Sequence, residues 1–86
     1  MCRNIKRLHN LAPPATPDEV RDAALQFVRK ISNTRRPSQA NAAAFERAVD
    51  EITAASRRLL ESMVTPAEPK TREELAAQAR QRRLAS

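Results

Sequence analysis

Apolar residues recur every third or fourth position along two stretches of the chain, a spacing typical of helix faces rather than strands. The first stretch follows the string TPDE, in which Thr16 is a predicted N-cap, Pro17 suits the first helical position and Glu19 completes a capping box. We predict a helix over residues 17–32. Its expected core face consists of Val20, Ala24, Phe27 and Ile31, flanked by Ala23 and Val28.

The second stretch carries a longer seam with heptad-like spacing, formed by Phe45, Val49, Ile52, Ser56, Leu59 and Met63. It predicts a helix over residues 39–64 that stops before a Thr-Pro pair and is capped by Ser38 or Asn41. Because the chain contains no glycine, Asn33 is expected to take the left-handed conformation that ends the first helix. The two helices should pack as an antiparallel hairpin. We expect Val20, Phe27 and Ile31 to meet Phe45, Val49, Ile52 and Leu59.

The ends of the chain are predicted to play different parts. Residues 3–11 should lie across the hairpin, where they could cover Leu25, which falls on the far side of the first helix. Residues 1–66 then form one helical domain. Residues 67–86 are predicted to be a linker and a basic C-terminal helix, free to be mobile, that starts at a second capping box of Thr71 and Glu74.

Composition supports an all-α class. The 86 residues contain no glycine and only two aromatic side chains, and no stretch alternates in the manner of a strand. No apolar run reaches the ~18 residues of a transmembrane helix, and the basic opening lacks the apolar stretch of a secretory signal. The single cysteine, Cys2, fits a reducing compartment, so we expect a cytoplasmic protein without membrane association.

Charge is distributed unevenly along the chain. The formal net charge is +6, and residues 1–41 alone carry eight basic and three acidic side chains, a net +5. A basic half on a small domain is typical of a protein that binds a polyanion. Solubility is the alternative explanation, because small domains commonly carry a net charge of ~2–8.

Several kinds of site are excluded by the residue types present. A chain without glycine offers neither a phosphate-cradling loop nor a dinucleotide fingerprint. One His and one Cys fall short of a structural zinc site, so His9 is expected to pack or face solvent rather than bind metal. No base, orienting group and oxyanion donor can be assembled, and we predict no enzyme activity and no cofactor.

The strongest candidate for chemistry is the loop SNTRRPSQAN, residues 32–41. It places Arg35 and Arg36 just before the second helix, whose free N–H groups and positive dipole end favour an anion. Arginine forks bind phosphate oxygens in pairs, and Ser38 and Asn41 can donate or cap. A solvated turn explains the same string equally well. If the N-terminal segment docks towards this loop, its polar residues join the predicted anion site, which then comprises Arg3, Asn4, Lys6, Arg35, Arg36, Ser38 and Asn41.

The strings MCRNIK, PPAT, ALQFVRKIS, RPSQAN and AVDEITAASRRLL together resemble a family of small, mainly bacterial proteins catalogued as a domain of unknown function. The resemblance covers roughly residues 1–66 and implies no activity. The family pattern has aromatic residues at His9 and Leu11 and glycine at Asn33, which favours packing for His9 and a tight turn at Asn33. It also marks Cys2, Arg3, Asn4 and the loop as its most distinctive polar positions.

Two functions of different class remain open from the sequence. The first is contact with nucleic-acid phosphates, in RNA or a ribonucleoprotein rather than by specific reading of DNA, because residues 32–38 make a longer connection than the ~3–4-residue turn of a helix-turn-helix. The chain also offers no aromatic platform on which single-stranded bases could stack. The second is a protein-interaction module that docks or dimerises through the long second helix. Only binding to nucleic-acid phosphates should lose affinity steeply as salt concentration rises.

Overall fold

The computed structural model describes residues 5–85. It contains α1 (Pro17–Ser32), α2 (Ala42–Ser62) and α3 (Arg72–Ala85). Within the described residues there is no strand, and an isolated bridge pairs Leu11 with Lys70. The all-α prediction is therefore confirmed, as is the packing of the first two helices against each other.

Local side-chain chemistry sets both ends of α1. Its predicted capping box is present, because the Thr16 N–H donates to Glu19 Oε1 (2.9 Å) and the Glu19 N–H donates to Thr16 Oγ1 (3.1 Å). At the other end Asn33 is left-handed, with φ 51° and ψ 38°. The Thr34 N–H then reaches the Arg29 carbonyl at 3.1 Å, which completes a Schellman motif. The prediction for Asn33 is confirmed.

We expect Asn33→Ala to destabilise the protein by about 1 kcal/mol, because an L-residue with a Cβ but no amide pays a steric penalty in the left-handed region. Asn33→Gly should be neutral or slightly stabilising, since glycine carries no such penalty. The urea midpoints of the two variants and the parent provide the measurement. Equal stability of the alanine and glycine variants would show that this turn does not depend on the backbone conformation of residue 33.

The second helix has Asn41, one of its two predicted caps, at its N-cap position, and it is slightly shorter than the predicted span of about 39–64. The helix begins at Ala42 rather than residue 39, because the Asn41 N–H bonds to the Ser38 carbonyl at 3.0 Å and residues 38–41 form a turn. Asn41 is the N-cap by position, but no side chain caps this helix. At the far end α2 stops at Ser62 because the backbone becomes extended at the next residue, with φ −75° and ψ 138°.

The core is small, and α1 is rotated about its axis relative to the prediction. Buried apolar side chains are those of Leu11, Val20, Ala24, Val28 and Val49. Phe27, Ile31 and Leu59, which we expected to be in the core, are 43%, 65% and 59% exposed. The reason is that α1 turns the line Val20–Ala24–Val28 towards α2, where the small Ala24 permits close approach. The same rotation brings Leu25, expected on the far side, half-buried against the core.

The predicted linker runs beside the N-terminal segment. The Asn10 side chain donates to the carbonyls of Ala67 and Glu68, both at 3.2 Å. Backbone bonds join the Lys70 N–H to the Asn10 carbonyl (3.1 Å) and the Ala12 N–H to the Lys70 carbonyl (3.0 Å). The N-terminal segment is thus docked, as predicted, and it holds residues 67–70 as well.

Arg72 fastens the start of α3 to the start of α1. Its Nε and Nη2 atoms donate to the two carboxylate oxygens of Glu19 at 2.8 and 2.6 Å, and Nη1 donates to the Pro13 carbonyl at 2.7 Å. Nη2 also reaches the Pro14 carbonyl at 3.3 Å. Beyond this anchor α3 is largely exposed, and within residues 5–85 helix-on-helix packing occurs between α1 and α2 alone.

No helix in the described part of the chain combines the length and the apolar character needed to cross a bilayer.

Candidate nucleic-acid interface

The loop between α1 and α2, residues 33–41, is held from the α1 side. Besides the Schellman bonds at its start, the Arg29 Nε donates to the Arg35 carbonyl at 3.2 Å. The Thr34 hydroxyl donates to the Ser32 carbonyl at 2.9 Å. These bonds fix the backbone on which the two loop arginines stand. Arg29 is the residue that sequence reasoning missed, although its place one turn before Asn33 is the place from which a long side chain reaches the following loop.

The guanidinium groups of Arg35 and Arg36 are exposed. Neither forms an ion pair within the part of the chain that the structure describes. The nearest acidic residues after the loop, Glu46 and Asp50, face Arg21 instead, at 3.6 and 2.7 Å. Asp50 hydrogen-bonds Arg21 and raises its pKa further above the ordinary value. The positive charge of the loop is therefore not compensated by these carboxylates.

The start of α2 adds a positive dipole end to the loop. Its first turn contains no acidic side chain and no side-chain cap, whereas α1 and α3 both begin with a capping box that contains glutamate. The first backbone bond of α2 runs from the Phe45 N–H to the Asn41 carbonyl (3.0 Å), so three N–H groups precede it along the chain. This end of the helix favours negative charge, and the two loop arginines lie within a few residues of it.

The structure separates the predicted site residues into groups. Four of them share the loop: Arg35, Arg36, Ser38 and Asn41. Lys6 is exposed on the N-terminal segment. That segment lines a cleft with Leu60 and Val64 near the end of α2, about 27 Å along the helix from Ala42 at 1.5 Å per residue. The convergence that would join this segment to the loop is thus not seen for its described residues. Arg3, Asn4 and Cys2 lie outside the described residues.

The cleft at that end encloses about 560 Å³ between the N-terminal segment and the two helices. His9 is half-buried on its wall, next to Leu8 and opposite Arg57 and Glu61. Within residues 5–85 no three His, Cys, Asp or Glu side chains are grouped to hold a metal ion. His9 therefore contributes to the wall of a cleft with mixed apolar and polar lining.

Comparison with known proteins places the chain in a family. A family model with the description "Uncharacterized conserved protein (DUF2277)" matches residues 1–78. This confirms the resemblance noted in the sequence and extends it past Arg72 into α3. No curated protein matches the chain, and no solved structure matches it.

Proposed function

We propose that the chain, which belongs to the DUF2277 family of uncharacterized conserved proteins, binds nucleic-acid phosphates through the loop of residues 33–41. The observation that carries the proposal is the pair of exposed, uncompensated guanidinium groups in the loop that leads into a helix N-terminus without a side-chain cap. Two arginine forks can each grip a phosphate oxygen pair, and the helix end adds N–H donors. We infer the same cytoplasmic setting that a single cysteine suggests.

The proposed target is RNA or a ribonucleoprotein rather than a specific DNA sequence. A helix-turn-helix joins its helices by a turn of about 3–4 residues, and the connection here is longer. The two aromatic side chains lie in the helix hairpin, where Phe45 is half-buried against the core and Phe27 is 43% exposed. Neither belongs to the loop, so base stacking is not part of the proposed contact. Contact through phosphates positions a protein on a nucleic acid without reading its bases.

The salt dependence of binding tests this proposal. Affinity for a labelled single-stranded RNA and for a duplex is measured by fluorescence anisotropy from about 50 to 200 mM salt. We expect Arg35→Ala/Arg36→Ala to flatten the slope of log affinity against log salt by about 1.4 for the single strand and about 1.8 for the duplex, because two phosphate contacts are lost. The melting temperature should stay near that of the parent, since both side chains are exposed.

A matched control is Arg57→Ala/Arg58→Ala. It removes the same charge from a second pair of adjacent, exposed arginines, which lies in α2 and not in the loop. It should leave the slope near the parent value. If the loop variant binds with the same slope of log affinity against log salt as the parent, the binding site is not in the loop. A parent protein that binds neither probe at low salt would reject the nucleic-acid function altogether.

A further inference from the structure

The helix hairpin is a single layer of helices. The molecule measures 44 × 33 × 16 Å, and its thinnest dimension is about 1.5 times the ~10–12 Å diameter of one helix, less than two full helix diameters. Its radius of gyration is 15.1 Å, against about 12 Å for a compact chain of this length. Domains are ordinarily built from two packed layers around a core. The second layer of this one is incomplete.

The accessible surface leads to the same conclusion. The protein exposes 7147 Å², whereas a folded monomer of 9.6 kDa is expected to expose about 5,100 Å². The excess is about 2,000 Å². A standard interface removes about 800 Å² from each partner. The excess is thus large enough to supply one interface of that size and still leave the exposed α3 in solvent.

One side of the hairpin is covered by its own chain at the end where α1 begins and α2 ends. The N-terminal segment lies there, with its cleft against Arg57 and Leu60 of α2. Ala24 of α1 and Val49 of α2 face each other, and successive residues turn about 100° around each helix. Counted in this way, Arg21 of α1 and Asp50 of α2 fall on the side of the N-terminal segment. Their ion pair, at 2.7 Å, lies along that side.

The opposite side of the hairpin is apolar, and no described residue outside the hairpin covers it. We call it the hairpin face; at the same helical angles it consists of Phe27, Ile31, Phe45, Ala48, Ile52 and Leu59. Three of these are half-buried by the core beneath them, and Ile31 and Leu59 are 65% and 59% exposed. Lys30 is the charged side chain at its margin, so the face itself is neutral on a protein of net charge +6. A contiguous apolar face of this kind marks an interaction site.

Within residues 5–85 the rest of the chain does not offer a cover for the hairpin face. The start of α3 is held at the start of α1 by the bonds of Arg72 to Glu19 and Pro13, and α3 does not pack on α1 or α2 in the described part of the chain. Its large apolar side chains are Leu75 and Leu84, and Leu84 is 86% exposed. Two leucines spread over 14 residues do not make the continuous apolar stripe that a covering helix needs.

We propose that the hairpin face packs against the hairpin face of a second copy, which gives a twofold-symmetric dimer with α1 and α2 of both chains in a four-helix arrangement. The face has the self-complementarity that a twofold axis requires, because it is neutral and brings no like charges together. A second copy supplies a layer of equal length and width. The small Ala48 lets helices of the two layers approach closely.

Sedimentation at several protein concentrations tests the dimer, on protein treated with nuclease so that nucleic acid cannot link two copies. The parent should sediment at twice the monomer mass of 9.6 kDa. Its melting temperature should also rise with concentration, since dissociation accompanies unfolding. Leu59→Glu should weaken the dimer at least ~100-fold and yield monomer, because the symmetry buries two unpaired carboxylates in one interface. Its far-UV circular dichroism should remain helical, since residue 59 is exposed in the single chain.

The matched control is Leu84→Glu, the same substitution at an exposed position off the hairpin face, which should stay dimeric. A monomeric parent, or a Leu59→Glu protein that stays dimeric, would overturn the proposal. This surface is separate from the loop. Arg35→Ala/Arg36→Ala should therefore remain dimeric, and Leu59→Glu should still bind RNA with the salt slope of the loop arginines.

Discussion

Val49→Asp is expected to unfold the protein. Val49 is 2% exposed and is the residue through which α2 meets Ala24 and Val28 of α1. A carboxylate at this position has no partner in the core, and burying an unpaired charge costs several kcal/mol even after relaxation. A chain of 86 residues has a total stability of about 4–13 kcal/mol, and this core contains few buried side chains. The far-UV circular dichroism should lose most of its helical signal.

The matched control for that substitution is Val64→Asp. The same change is made two residues beyond α2, at a side chain that is 95% exposed. Its melting temperature should stay within a few degrees of the parent, because surface substitutions usually change stability by less than about 0.5 kcal/mol. A folded Val49→Asp protein with a melting temperature equal to that of Val64→Asp would show that the α1–α2 contact is not the core.

Both ends of α1 could be predicted because their determinants are local. Thr16 and Glu19 stand three residues apart, and their reciprocal hydrogen bonds require nothing from the rest of the fold. Asn33 likewise ends α1 through bonds to the preceding turn. The start of α2 was predicted less well, since Ser38 and Asn41 both suit a cap and neither side chain caps the helix.

The rotation of α1 could not be read from the sequence in the same way. Its apolar positions spread over more than one edge, so both Phe27 and Leu25 could have faced α2. The choice depends on how closely the helices approach, and the small Ala24 at the crossing favours the edge that buries Val20 and Val28. The single-sequence pattern chose the larger Phe27, which the structure leaves 43% exposed.

The candidate site shows the same division between local and distant determinants. The loop arginines follow directly from the string between the two helical patterns, and the structure keeps them exposed in the loop that precedes α2. The docking of the N-terminal segment at the other end of the hairpin depends on Asn10 reaching Ala67, a contact across 57 residues. The pairing of Arg72 with Glu19 spans 53 residues. No periodicity or spacing in one sequence signals such contacts.

The Glu19–Arg72 pair should make the stability of the protein depend on pH in acid. Hydrogen bonding to Arg72, with a further contribution from the Thr16 N–H, lowers the pKa of Glu19 from 4.5 to about 2. Because the folded-state pKa lies below the unfolded-state value, the pair stabilises the fold fully above pH 4.5, and this stabilisation is lost as pH falls towards about 2. The parent should therefore lose melting temperature across that window.

Glu19→Gln isolates this contribution. The amide cannot ionise, so we expect a melting temperature below that of the parent at neutral pH, and a gap between the two proteins that narrows as pH falls from about 5 to about 2. Glu74→Gln is the matched control, because Glu74 holds the same capping-box position in α3, where its partner is the Thr71 N–H at 3.2 Å. Its gap to the parent should change less over the same range. Parallel curves for the parent and Glu19→Gln at every pH would show that Arg72 does not hold Glu19 ionised, and that α3 is not fastened to α1 by this pair.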